Sequence, residues 1–510
     1  MDVDAIEPCA LPAPRPWSRL ATCLLALAVL PAVGIAAFAI HPQPAGAYGV
    51  ALRTAIDTDP PVNHDGELML ARIRDAGARL VRIDLNWSLV APANPPPGFQ
   101  PANPNDPAYD WREADRVIDE VVAAGLEPIV DIGSSPPWAQ APPGAGPYSP
   151  EPVQYGQFAA AAASRYNGLT PGQPRVHYWD VWNEPNASYF LRPQTQAGRV
   201  VSVNIYRAMI ESFAAAVHGV APDNVVIGGE LFPNGVSNGA VTAIAPLEFT
   251  RRLFCVSAGS RPRRVCDVHV PVDVWSVHPY TSGSPTTLPA NPNNVWLSNL
   301  SALTATVRSA QRLGTLVSSG PARVWITEFS WDSNPPDPQG VPVKIEQRWV
   351  AEAIYRAWVA GISVFTWFSL HDEPLATSPF QSGLYFECPA GAACDTPKPS
   401  EEAFRFPFVA YAQRRHGAFV WGRTPAGVPG TVQVQWLQGG RWSGLVKLST
   451  DGDGIFTARV ALPRRASATT ALLRAVALGI GAVGANAYAS PAFSLQAPPN
   501  IPVTPFGSGG

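Results

Sequence analysis

The chain is short of charge. Asp, Glu, Lys and Arg make up only 15% of its 510 residues, and the formal net charge is -3. No basic stripe stands out, which argues against nucleic acid as a partner. Cysteine is scarce too, with six in all, and no Cys/His spacing resembles a zinc site. The glycines of "VVIGGE" (225–230) do not form a G-x-G-x-x-G turn, so a dinucleotide fingerprint is missing. Nor does a Gly-rich phosphate loop follow the last β-type runs. No cofactor and no metal are therefore expected.

Proline and tryptophan, by contrast, are plentiful, at 56 and 16 residues. Runs such as "PANPPPGFQPANPNDP" and "SSPPWAQAPPGAGPYSP" interleave Pro with aromatic residues, which reads as long ordered loops on a scaffold. Aromatics are also platforms for flat apolar faces such as sugar rings. At the N-terminus Arg15 and Arg19 precede an apolar run at 20–40, and Ala45-Gly46-Ala47 fits a signal cleavage site. The run is long for a signal peptide and long enough to span a bilayer. Residues 1–47 thus read as a signal peptide or a membrane anchor. Either one sends the rest of the chain outside the cytoplasm, secreted or membrane-anchored. Cys9 and Cys23 fall in this leader. In an exported chain the close pairs Cys255/Cys266 and Cys388/Cys394 suggest two loop-closing disulfides, the alternative being buried free thiols.

From residue 48 short β-rich runs alternate with amphipathic helical patterns. The strands read at 48–54, 79–87, 127–133, 176–184, 225–230, 273–280, 323–330 and 361–370. The last helix reads at 401–415. Eight strands and eight helices predict an α/β protein, a (β/α)8 TIM barrel over 48–417, with a doubly wound open sheet as the alternative. Beyond it the helical period stops. Alternating runs such as "TVQVQWLQ" and "GIFTARVALP", separated by "QGG" and "DGDG", predict a C-terminal β-sandwich at 418–497. Residues 498–510 read as a tail.

A (β/α)8 barrel builds its site at the C-terminal ends of its strands. Those ends offer Arg82 and Asp84, Asp131, Asn183 and Glu184, Glu230, His278 and Tyr280, Glu328, and Trp367, with Trp138 in the loop after the third strand. Two carboxylates on facing strands, set among aromatics, suit acid/base chemistry on an acetal. Glycoside hydrolysis needs one carboxyl to protonate the leaving oxygen and a second to engage the anomeric carbon. A strand closing abruptly in Asn183-Glu184-Pro185 makes sense if it presents that proton donor. Glu230 and Asp131 are as readily partners of a structural Arg as members of the site.

"WNEPN" (182–186) and "ITEFS" (326–330) resemble the clan A glycoside hydrolases, as does "SVHPY" (276–280), and "SSPPWA" (134–139) looks like family 39 or a relative. The resemblance spans about 48–415. It implies a retaining O-glycoside hydrolase with Glu184 as acid/base and Glu328 as nucleophile. Arg82, Asn183, His278, Tyr280, Trp138 and Trp367 are then substrate-binding residues. Arg82 and Tyr280 are the expected donors to Glu328, and Asn183 the donor to a sugar 2-hydroxyl. The implied partner is a carbohydrate. The competing reading is a non-catalytic carbohydrate-binding or cell-surface protein on a similar barrel.

Overall fold

The computed structural model describes residues 51–58, 66–169, 172–239, 241–479, 488–499 and 501–503. The leader expected at 1–47 and most of the tail lie outside the described residues. Among the described residues no helix is long and apolar enough to cross a membrane.

Eight parallel strands close into a barrel: β1 (Arg53–Asp57), β2 (Leu80–Asn86), β3 (Glu127–Gly133), β4 (Tyr178–Val181), β5 (Val225–Leu231), β6 (Val274–Val277), β7 (Arg323–Ile326) and β8 (Ile362–Phe368). Strand β1 pairs with β2 on one side and with β8 on the other, which closes the ring and excludes the open sheet. A helix follows each strand: α1 (Gly66–Asp75), α2 (Arg112–Ala123), α3 (Pro152–Arg165), α4 (Ser202–Val220), α5 (Pro246–Leu253), α6 (Leu300–Arg312), α7 (Val343–Ala360) and α8 (Pro399–Arg405). Their packing follows helical spacing. On α4, for example, Tyr206, Met209, Ile210, Phe213 and Val217 form one buried stripe. Helix α7 ends at Gly361, whose φ of 85° is the left-handed cap that glycine takes without a Cβ clash.

Two elements differ from the sequence reading. The first strand runs over Arg53–Asp57, later than 48–54, because its in-register partners on β8 run from Val364 to Phe368. The last helix stops at Arg405. Pro407 cannot donate a helical hydrogen bond and pushes Phe406 out of the helical region, to φ -132°. The chain then becomes a strand, β9 (Phe408–Gln413), paired antiparallel with β10 (Gly417–Arg423).

Those strands belong to two C-terminal sheets. One has the order β9, β10 and β13 (Ile455–Ala461). The other runs β12 (Arg441–Ser449), β11 (Thr431–Gln438), β14 (Leu472–Leu478) and β15 (Phe493–Ser494). Val432, Val434, Leu473, Ala475 and Ala477 alternate with more exposed residues and form the buried face. This unit is packed onto the barrel. Tyr355 and Trp358 of α7 meet Trp421 of β10 at ring distances of 5.3 and 5.7 Å. Arg348 lies 3.9 Å over the ring of Phe493. Both expected disulfides are present, Cys255 with Cys266 and Cys388 with Cys394.

Candidate active site

Side chains inside a barrel come from every second strand residue. A lower layer is apolar, with Ala55, Leu80, Ile129, Ile227, Val274, Trp325 and Val364 packed together. Two residues further along their strands stand Asp57, Arg82, Asp131, Ser276 and Thr366, all buried. Asp180 is likewise two residues beyond Tyr178, which packs on the apolar layer. The polar layer therefore follows from strand periodicity once the apolar floor is in register.

Arg82 organises that layer. Its guanidinium is 2.9 Å from Asp57, 3.2 Å from Asp131 and 3.5 Å from Asp84, and it also pairs with Glu230. It donates to Asn183 Oδ1 at 3.4 Å as well. Burial opposes the Arg82 charge, but Glu230, Asp57 and Asp131 outweigh it and hold the guanidinium ionised. For Asp131 and Asp180 burial dominates and pushes both well above the usual carboxylate range. Glu230 goes the other way. Burial would raise it, yet Arg82, Asp180 and His278 together hold it well below its ordinary value.

Glu230 reaches this layer through a local irregularity. The β5–β6 register shifts between Trp275 and Val277. At the same point Gly229 has φ of 113° and Glu230 φ of 47°. A Cβ on Gly229 would stand 2.4 Å from the Ser276 carbonyl oxygen, so glycine is required there. The bulge turns Glu230 inward, and its N–H donates to Ser276 Oγ at 2.8 Å.

Glu184 lies just past the end of β4, in a segment that two non-glycine residues enter with positive φ, Trp182 at 67° and Glu184 at 41°. Such conformations cost energy and persist where the surroundings enforce them. The constraints here are visible. The Glu184 N–H donates to the Glu230 carbonyl at 3.1 Å. Asn186 donates to the carbonyls of Phe232 and Ile244, both at 2.9 Å, and Gln194 donates to the Pro185 carbonyl at 2.9 Å. From below, the Tyr206 hydroxyl donates to the Val181 carbonyl at 2.6 Å and accepts the Gly229 N–H at 2.9 Å, tying the ends of β4 and β5 together.

His278, fully buried, stands between the two glutamates. Its Nδ1 is 3.1 Å from Glu184 Oε1 and 3.0 Å from Glu328 Oε2. Since one nitrogen reaches both oxygens, the oxygens are at most about 6 Å apart, close to the ~5–5.5 Å of a retaining carboxylate pair. Nε2 faces Glu230 at 3.4 Å, an ion-pair distance rather than a well-made hydrogen bond. Burial would lower the His278 pKa, but Glu328 and Glu230 raise it well above the usual range. The Tyr280 hydroxyl donates to Glu328 Oε1 at 2.7 Å. Burial, reinforced by the Glu328 charge, keeps that phenol protonated. For Glu184, burial is the largest influence and Glu328 adds to it. The two outweigh His278, so its pKa is raised.

Six of the residues singled out from the sequence thus converge: Glu184, Glu328, Arg82, Asn183, His278 and Tyr280. One expected contact is different. Arg82 is taken up by Asp57, Asp84, Asp131, Asn183 and Glu230, and Glu328 receives Tyr280 and His278 instead. The two tryptophans make contacts of another kind. Trp138 stacks edge-on against Trp87 and Phe99 and donates to the Pro92 carbonyl at 2.8 Å. Trp367 is 0% exposed, packed against Phe329, with its indole N–H bonded to the Ser382 carbonyl at 2.8 Å. Sequence reasoning missed Asp57 and Asp180. Asp57 fell outside the strand as first bounded. Asp180 had a signal, a carboxylate inside the apolar run "YWDVW". Among the described residues no group of three or more His, Cys, Asp or Glu could hold a metal ion.

No family model matches the chain, and no curated protein matches it either. Solved structures similar to it include a family 39 glycoside hydrolase from Bacteroides cellulosilyticus WH2, at 17% identity and TM-score 0.48, covering 81% of this chain and 79% of that one. A glucosidase from Croceicoccus marinus is 14% identical at TM-score 0.46, covering 78% and 80%. A family 1 b-glucosidase from Thermotoga maritima is 14% identical at TM-score 0.43, covering 66% and 84%. At such identities the activity has to be read from the site.

Proposed function

We propose that this chain is a retaining glycoside hydrolase that cleaves O-glycosidic bonds in an extracellular oligosaccharide, polysaccharide or glycoconjugate. The observation that carries the reading is the single imidazole nitrogen within 3.1 and 3.0 Å of both Glu184 and Glu328. Only a close pair of carboxyls has that geometry, and a close pair is what double displacement needs. Glu184 starts as the acid. Its raised pKa keeps the proton that the leaving oxygen takes as its bond to the anomeric carbon breaks. Glu328 attacks that carbon from the opposite face and forms a glycosyl ester. Glu184, now a carboxylate, removes a proton from water. The water oxygen bonds to the anomeric carbon and Glu328 leaves as carboxylate. Tyr280 orients the attacking oxygen of Glu328 through its 2.7 Å bond. Asn183 has its Oδ1 on Arg82, which leaves its Nδ2 to donate to the sugar 2-hydroxyl.

The cations beside the pair are already engaged, Arg82 by carboxylates and His278 by three glutamates. The two disulfides fit an oxidising compartment. The test is a panel of aryl glycosides, neutral sugars beside uronides, assayed with the wild type and Glu328→Ala. Turnover of at least one glycoside that Glu328→Ala abolishes is expected. Tight sugar binding with no turnover on any member would favour the non-catalytic alternative.

A further inference from the structure

The geometry points to Glu230 as a positioning residue of this site: paired with Arg82 and turned inward by the bulge at Gly229, it faces His278 Nε2 at 3.4 Å and so aims Nδ1 between Glu184 and Glu328. The inference rests on the glycosidase reading for its consequence but not for its geometry. The starting point is the bulge at Gly229. It places Glu230, fully buried, against two cations, Arg82 and His278. A buried carboxyl facing two cations is held in its charged form.

The same logic fixes the histidine. Its two ring nitrogens face only carboxyl groups, Glu184 and Glu328 at Nδ1 and Glu230 at Nε2. Glu184 starts as the acid and can accept through its carbonyl oxygen, whereas Glu328 at Nδ1 and Glu230 at Nε2 are carboxylates, which accept and do not donate, so both nitrogens carry hydrogens and the ring is an imidazolium. A ring with one ligand could swing about its Cβ–Cγ bond. The Glu230 charge 3.4 Å from Nε2 opposes that swing and keeps the Nδ1–H where both glutamates can use it as protons move between the two half-reactions. The groups facing this chain are Glu184, Glu328 and Tyr280 above, Arg82 and Asp131 beside, and Asp180 below. The arrangement links β4, β5 and β6, and explains why β5 carries a bulge that an uninterrupted strand would not need.

Two readouts test this on the full-length protein. The first needs no mutation. With histidine 15N-labelled, the ring signals of His278, assigned by their loss in His278→Gln, should show the doubly protonated pattern from pH 5 to pH 8. A neutral ring at pH 7 in the wild type overturns the inference, whatever the enzyme does to glycosides. The second uses kinetics on whichever aryl glycoside is cleaved. Glu230→Gln removes the anion. It should lower kcat at least about tenfold with KM little changed, and bring the His278 ring into titration between pH 5 and pH 8. A Glu230→Gln enzyme with wild-type kcat and an untouched ring contradicts it. If Glu230→Gln does not fold, the wild-type ring signal still decides. Failure of every glycoside to turn over, with the ring doubly protonated, would remove the glycosidase reading and leave this one standing.

Discussion

Replacing Glu184 by Gln removes a proton while keeping most of the contacts around it. The Gln side chain has the same length, and its carbonyl can still accept from His278 Nδ1, which lies 3.1 Å from Glu184 Oε1 in the wild type. Burial and the neighbouring Glu328 hold the Glu184 pKa up, so the wild-type acid is protonated at the start of the cycle. The sign follows. A raised acid pKa places the loss of activity on the alkaline side, as Glu184 gives up its proton. In Glu184→Gln nothing is left to titrate there and that limb should vanish. General acid assistance contributes about 10²–10⁴-fold, or about 3–5.5 kcal/mol of barrier. On a glycoside with a poor leaving group, the glycosylation rate should fall by that factor. On a dinitrophenyl glycoside, whose leaving group departs without a proton, the same step should be nearly unchanged. Pre-steady-state release of dinitrophenol measures it directly. Equal losses on both substrates, or an alkaline limb that persists in the mutant, would refute the assignment.

Other consequences can be measured in parallel. Tyr280→Phe deletes one hydrogen bond to a charged group, worth about 1.5–3 kcal/mol, so kcat should fall roughly 10–100-fold with little change in KM. Glu346 is fully buried, and burial, only partly offset by Lys398, raises its pKa to about 8. The folded protein then keeps that proton up to about pH 8, while the unfolded chain releases it near the ordinary value of 4.5, so stability falls as pH rises between the two. Glu346→Gln should raise the melting temperature at pH 8 and bring no gain near pH 4, which differential scanning calorimetry reads. Trp421→Ala opens the contact between α7 and the C-terminal sheets, at a cost of about 3–5 kcal/mol. Urea unfolding should show it, and a loss below 1 kcal/mol would mean the two parts are not packed as described.

The sequence carried the barrel because its strands and helices have distinct periods, and strong ones: "RLVRIDLNW" alternates, while the stripe on α4 recurs every three to four residues. It failed where a single residue overrode the pattern. The region 401–415 reads as helical by spacing, and Pro407 alone turns its second half into a strand. Within the site, Glu184, Glu328, His278 and Tyr280 were legible because each stands near the end of a strand in a short distinctive string. Asp180 and the role of Glu230 were not. Both depend on which residues share a layer inside the barrel, and that is set by inter-strand register and by the bulge at Gly229. The fate of the two tryptophans was hidden for a similar reason. Nothing local distinguishes an indole with an open face from Trp367, whose N–H meets Ser382 fifteen residues on.

The central claim is that Glu184 and Glu328 act as a close pair through a covalent intermediate. Proton NMR of the anomeric signal during the first turnovers of a cleaved glycoside tests it most directly. Double displacement predicts that the sugar is released with the anomeric configuration of the substrate, before mutarotation. In Glu328→Ala with azide, the same measurement should find a glycosyl azide of the opposite configuration. A wild-type product inverted from the first turnover would contradict the account.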